Sequence, residues 1–311
     1  MPPAPRSDLP CGGLDLGGTK IEARLFSPGL DLLDTRRIPT PTGGLDALLE
    51  AVADQLHWLE AASGQGAALP VGMGLPGVID TGGGPAFAAN LPVGGHDLPG
   101  ALRQRLGRAL PLLNDAQAFA LSEARGGAGN GAERVAGLIM GTGIGAGLAV
   151  LGRALPQIQL AALEVGHLGW PARLGDALPL LACGCGRSGC FETLLSGPGL
   201  ARLAEHRLGV AVPPEDLAQR AEHDPAAEAV LTLWADLAAE LLLTLHLAQD
   251  PQVIVLGGGL TRLPGLLDRL GAALAPLRLG PLPLPRLALA VFGDASGARG
   301  AAIHARDLAP C

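Results

Sequence analysis

Apolar and polar positions alternate along Gly12–Phe26 in two short runs flanking Asp15-Leu-Gly17-Gly18-Thr19-Lys20, and this period of two predicts a β-hairpin. From Leu45 to Ala62 the period lengthens, placing Leu48, Leu49, Val52, Leu56 and Leu59 on one side of a helix. Val71–Asp80 reads as a buried strand ending in a turn, Leu98–Leu110 as a second amphipathic helix, Pro111–Asp115 as a short strand and Ala116–Gly126 as the helix after it. Val135–Leu151 carries no charge over 17 residues. It falls short of the ~20 apolar residues a membrane helix needs, and five glycines interrupt it, so two buried strands around Gly141-Thr142-Gly143 are expected. Glu192–Leu208 and Asp216–Arg220 read as helices, Ala226–Gln249 as a long helix with one apolar face, and Pro251–Leu256 as a buried strand running into Gly257-Gly258-Gly259. A helix, a Pro-rich crossing, a strand at Leu287–Phe292 and a helix at Ala295–Arg306 close the chain. Strand–helix alternation occurring twice predicts two α/β domains. They are expected at 11–115 and 116–296, after a loose tail at 1–10, with a C-terminal helix in 297–311 packing back on the first.

Composition narrows the functional classes. An apolar fraction of 48% with 16% charged residues predicts packed cores. The net charge of -7 and the absence of a basic cluster disfavour nucleic-acid binding. The proline-rich first ten residues lack the apolar core of a secretion signal, and no membrane association is expected. Cysteine usage fits a reducing cytoplasm, with Cys11 and Cys311 as free thiols.

The other three cysteines carry the sharpest chemistry. His167, Cys183, Cys185 and Cys190 fall within 24 residues, on a segment threaded with glycine. Three thiolates and one imidazole are the ligand set of a structural zinc. Glu164 lies three residues before His167 and Glu192 two after Cys190, so carboxylates flank a metal-anchored ring. They suit sugar hydroxyls, and equally suit plain solvated acids beside a zinc knuckle.

Asp15-Leu-Gly17-Gly18-Thr19-Lys20 and Gly141-Thr142-Gly143 have the small residues that let phosphate oxygens reach backbone N–H groups, with threonine hydroxyls as further donors. Asp15 is placed to hold Mg²⁺ through water. Ordinary hairpin turns fit the same residues. Gly257-Gly258-Gly259 at a strand end would let a flat base lie on backbone, or simply turn the chain. Asp115 at the end of a strand can act as a general base on an attacking hydroxyl, or cap the helix that follows.

Taken in order, these motifs resemble the ROK family (repressor, open reading frame, kinase) of the sugar kinase, heat-shock and actin superfamily, from about Gly12 to Ala305. Asp15–Lys20 and Gly141–Gly143 resemble its two phosphate motifs. Gly74-Leu-Pro-Gly77-Val-Ile-Asp80 and Asn90-Leu91 resemble its sugar-side loops, and Asn114-Asp115-Ala116 the segment bearing its catalytic aspartate. Glu164-Val-Gly-His167 with the cysteine run resembles its zinc signature, and Val253–Gly259 its adenosine motif. The resemblance implies a two-lobed ribonuclease H-like, actin-like α/β fold with a cleft between lobes and a structural zinc loop. It implies transfer of the γ-phosphoryl group of Mg-ATP to a hexose 6-hydroxyl, with Asp115 as base. Asn90, Asn114, Glu164, His167 and Glu192 would grip the sugar. Asp15, Gly17, Gly18, Thr19, Lys20, Gly141, Thr142, Gly143, Gly257, Gly258 and Gly259 would hold the nucleotide. Glucose is the first expectation; N-acetylhexosamine, mannose and fructose are the alternatives, and a homo-oligomer is implied by analogy. The family's regulators carry an N-terminal helix-turn-helix, whereas about a dozen residues precede the first phosphate motif here, so a kinase is expected over a regulator. Leu163 stands where the family has glycine, Ala89 where it has proline, and a glycine usual near Gln157 is absent. These departures bear on sugar choice.

Overall fold

The computed structural model describes residues 9–78, 80, 84, 86, 88, 91–155 and 163–309. The chain forms two compact units. One runs to Arg125, resumes at Gly152 and ends with the segment from Asp294; the other holds Gly126–Leu151 and Leu163–Gly293.

The first unit begins with the hairpin β1 (Cys11–Leu16) and β2 (Lys20–Phe26), then β3 (Leu32–Pro39), α1 (Leu45–Ser63), β4 (Val71–Leu75), α2 (Leu98–Leu106), β5 (Leu112–Asn114) and α3 (Asp115–Ala124). The sheet order is β3-β2-β1-β4-β5, with β1–β2 and β2–β3 antiparallel and β1–β4 and β4–β5 parallel. Leu48, Val52, Leu56 and Leu59 of α1 are buried, as their spacing predicts, and α1 lies against β2. Buried Gln55 donates from Nε2 to the Ile21 carbonyl at 3.0 Å, pinning helix to strand. β3 is an exposed edge strand that apolar patterning does not reveal. α2 stops at Leu106, short of the Leu110 expected, because Gly107 turns the chain at φ 68°.

The second unit supplies β6 (Arg134–Met140) and β7 (Ile144–Val150), the two strands expected of the uncharged stretch. The chain re-enters the first unit through β8 (Arg153–Ala154), beside α3. The second unit then adds α4 (Glu192–Leu195), α5 (Gly197–Leu208), α6 (Pro214–Ala221), α7 (Pro225–Gln249), β9 (Val253–Gly257), α8 (Leu266–Leu274) and β10 (Arg286–Leu289). Its strands are ordered β10-β9-β6-β7, with β6–β7 antiparallel and the other pairs parallel. The single helix expected at Glu192–Leu208 is two, because Ser196 caps α5 by accepting from Gly199 N at 3.1 Å and Pro198 follows. α7 is the one helix among the described residues long and apolar enough to cross a bilayer, yet 67% of that window is buried. It packs on α5, α6 and α8 as a core helix, with Trp234 fully enclosed and donating to the Leu195 carbonyl at 3.2 Å.

The last helix, α9 (Ser296–Leu308), belongs to the first unit and lies on β1, β4 and α3. Gly13 and Gly72 make this docking possible: a Cβ on either would collide with the carbonyl oxygens of Ala298 and Ala301. Arg299 of α9 is buried and caps the end of α3, donating to the carbonyls of Ser122 at 2.8 Å and Arg125 at 2.7 Å. α3 thus shares its core with α9 and lies in the first unit, which extends to Arg125, whereas spacing suggested a division at Asp115.

Candidate functional site

In the first unit, the parallel strands β1, β4 and β5 end level with one another. Asp15 lies opposite Gly74 of β4, and Asn114 of β5 lies opposite Leu75. Asp15 and Asp115 therefore stand on strand ends either side of β4. Burial raises the pKa of Asp115, against the Ala116 N–H that its Oδ1 accepts at 2.8 Å. Burial, together with the Asp115 and Glu22 carboxylates, pushes Asp15 up to about 6. Two half-buried acids that resist ionising together are a setting for a divalent cation, which offsets their repulsion.

Asn114, not Asp115, caps α3: its Oδ1 accepts from Ala116 N at 2.9 Å and Gln117 N at 3.3 Å, while Nδ2 donates to the Gly77 carbonyl at 3.2 Å. The cap leaves Asp115 as the first helical residue, with its carboxylate at the helix N-terminus. Gly18 and Thr19 form the exposed tip of the Asp15–Lys20 turn. The turn is held by Thr40, whose Oγ1 donates to the Gly17 carbonyl at 2.6 Å and whose N–H donates to Thr19 O at 3.0 Å. Lys20 lies 3.7 Å from Glu22, a carboxylate buried in the sheet and bonded by Arg24 and Arg37. Its ammonium is thus engaged within the sheet. Thr40, Glu22 and Arg37 escaped sequence reading. Their signal is the cross-strand register, Glu22 opposite Arg37, which needs β3 to be seen.

In the second unit, β6 and β9 run parallel into a cavity of about 670 Å³. Gly141, Thr142 and Gly259 line it, as do Pro198, Pro213 and Leu260 as apolar wall, with Gln219 and Arg262 as polar groups. Gly257 is buried in β9, and Gly258 packs against the Met140 backbone; neither lines the cavity. The proline walls and the α6 side chains were not legible in the glycine motifs.

The loop after β8 brings His167, Cys183, Cys185 and Cys190 together, with one ligand atom from each within 4.8 Å of all the others. Cys183 Sγ is 3.5 Å from His167 Nδ1, and Cys185 Sγ 3.6 Å from Cys190 Sγ. Zinc bonds of about 2.3 Å to sulfur and 2.0 Å to nitrogen give tetrahedral edges of roughly 3.5–3.8 Å, so the donor set fits the ion. Burial and the neighbouring sulfurs push the Cys190 thiol up to about 12, a cost that a cation removes by taking the thiolate as ligand. Arg187 holds the loop by donating to the His167 carbonyl at 2.8 Å, and its backbone and guanidinium pull exposed Cys185 down to about 6.

The carboxylates beside this cluster differ. Glu164 is exposed three residues before His167. Glu192 opens α4 and directs Oε2 to Ile144 N at 2.9 Å, at the end of the Gly141–Gly143 turn. Gly166 presses on the same turn, since a Cβ there would come within 2.5 Å of the Ile144 carbonyl oxygen. Asn90 lies outside the described residues, as do Ala89, Gln157, Ala162 and Cys311.

Known proteins match this chain over most of its length. The sequence model described as "ROK family" matches residues 11–308. An N-acetylgalactosamine kinase of Shewanella sp. strain ANA-3 is 38% identical over 95% of this chain and 96% of its own. An N-acetyl-D-glucosamine kinase of Escherichia coli O157:H7 is 38% identical over 95% of this chain and 99% of its own. Among solved structures, a ROK hexokinase from Thermus thermophilus superposes with a TM-score of 0.84 at 34% identity, over 95% of this chain and 97% of that one. A ROK glucokinase from Streptomyces griseus, in complex with glucose and AMPPNP, gives 0.72 at 28% identity, over 94% and 98%. With its two mixed α/β sheets and its Cys3His cluster, the chain belongs to the ROK family.

Proposed function

We propose that the protein is an ATP-dependent kinase of N-acetylhexosamines, with N-acetylglucosamine as the leading substrate and the 6-hydroxyl as acceptor. Glucose, the first expectation from sequence, yields to this reading because relatives 38% identical over 95% of the chain are named for N-acetylated sugars. The observation that carries the chemistry is the pair of half-buried carboxylates at the level ends of β1 and β5. Asp115 takes the proton of the attacking hydroxyl, and its raised pKa makes it the stronger base. Asp15 holds the water shell of Mg²⁺, which when bound neutralises charge on the transferring phosphoryl group. Gly17, Gly18 and Thr19 on one turn, and Gly141, Thr142 and Gly143 on the other, support phosphates. The cavity lined by Gly259 and Leu260 takes the base. Glu164, His167 and Glu192 bind sugar hydroxyls. Zinc on Nδ1 would leave Nε2–H of His167 as a donor of fixed direction. Cysteines free to bind metal rather than pair as disulfides fit a reducing cytoplasm.

Steady-state assays of ADP release with Mg-ATP and a panel of N-acetylglucosamine, N-acetylgalactosamine, N-acetylmannosamine, mannose, fructose and glucose test this. An N-acetylated sugar should exceed glucose in kcat/KM by at least about tenfold, or 1.4 kcal/mol. Glucose equal to or better than all three N-acetylated sugars would overturn the substrate assignment.

A further inference from the structure

We infer that Glu192 positions the nucleotide-binding turn Gly141–Ile144, so that the metal loop sets ATP affinity as well as sugar contacts. The inference rests on reading that turn as a phosphate support, and it adds a role that the motif spacing does not contain. Three contacts converge on the turn from the flanks of the metal ligands. Glu192, two residues after the ligand Cys190, accepts the Ile144 N–H on Oε2 at 2.9 Å. Gly166, one residue before the ligand His167, lies against the Ile144 carbonyl. Gly197, just beyond α4, donates to the Gly141 carbonyl at 2.8 Å. The turn closes on itself through Gly141 N to Gly143 O at 3.0 Å.

The glycine at 143 has a specific cause. A Cβ there would sit 2.7 Å from Glu192 Oε2, so the space left by hydrogen is filled by the carboxylate. Gly141 and Thr142, on the other side, face the cavity. The turn is thus clamped between a cavity and a side chain that stands two residues beyond Cys190. A carboxylate accepting a backbone N–H makes a charge-assisted bond, stronger than a neutral one. Losing it frees Ile144 N and the end of β7 together.

Two substitutions separate this role from sugar binding. Glu192→Gln keeps an oxygen acceptor for Ile144 N; Glu192→Ala does not. With Mg-ATP titrated calorimetrically in the absence of sugar, Glu192→Ala should weaken binding about tenfold, and Glu192→Gln should stay within about threefold of wild type. Hydrogen exchange needs no ligand. The Ile144 amide should be protected in wild type and Glu192→Gln and exchange at least about tenfold faster in Glu192→Ala. Chelating the metal should speed exchange in wild type but add little in Glu192→Ala. A Gly143→Ala variant gives an independent check: it should weaken ATP in the wild-type background and be near neutral alongside Glu192→Ala. Unchanged ATP affinity and unchanged Ile144 protection in Glu192→Ala would overturn the inference while leaving the kinase reading intact. A wild-type protein that binds no Mg-ATP would overturn that reading, and with it the nucleotide part of this one.

Discussion

The two glycine–threonine turns look alike in sequence and are held in opposite ways. The Asp15–Lys20 turn is braced by Thr40, just past β3 of the same sheet, which donates to two turn carbonyls. The Gly141–Gly143 turn is braced by Glu192, about 50 residues on, which accepts an amide from it. The first brace comes from within its own sheet and is independent of any ion. The second hangs on the loop that gathers His167, Cys183, Cys185 and Cys190. Similar motifs therefore carry different liabilities: the first turn depends on its own sheet, the second on the loop that carries the Cys3His cluster.

That contrast can be pressed from both sides. The largest effect belongs to the chemistry of the first unit. Asp115→Asn keeps the shape of the strand end but removes the base, and kcat should fall about a hundred- to ten-thousand-fold with sugar binding retained. A fall under about tenfold would remove Asp115 from that role. Next comes Cys183→Ala, which should abolish metal retention by elemental analysis and cost on the order of 3 kcal/mol or more of stability. It should loosen the second turn and leave the first unaltered by hydrogen exchange.

Asp15→Asn gives a smaller effect with a distinctive sign. The folded pKa of Asp15 is raised to about 6 from an ordinary 3.8, so the folded state binds its proton more tightly than the unfolded one. Its contribution is therefore favourable below about pH 4 and is lost as pH rises through 6. At pH 7.5 the carboxylate is a net cost, and Asp15→Asn should stabilise the protein by up to roughly 3 kcal/mol while destroying turnover. The gain should vanish below pH 4 in denaturant titrations. By the same logic kcat/KM of the wild type should fall as pH drops toward 6, above the usual carboxylate range. The smallest effect is Thr40→Val. Loss of the Oγ1 bond to Gly17 O should cost about 1 kcal/mol and leave metal content unchanged, which marks the first turn as ion-independent.

Local spacing made some of this legible and long-range register hid the rest. The Cys3His set needs only a short segment and its glycines, so the sequence displays it. α1 and the β6–β7 hairpin follow from periodicities of one window. By contrast, the bond from Glu192 to Ile144 joins two loops, and Glu192 reads equally well as a sugar contact. Thr40 and the Glu22–Arg37 pair depend on β3, an edge strand whose largely exposed residues carry no burial signal. Asn114 and Asp115 are both good helix caps, and only the backbone geometry assigns the cap to Asn114 and leaves Asp115 available. The break at Ser196 needed the capping bond to Gly199 to be visible.

The seat of α9 on Gly13 and Gly72 has a consequence for biosynthesis. α9 completes the core begun by β1, so the first unit cannot finish folding until α9 has been translated. The second unit, drawn largely from one continuous stretch, is free to fold while still tethered to the ribosome. Nascent chains halted before Ser296 should therefore carry a protease-resistant second unit and a protease-sensitive first one.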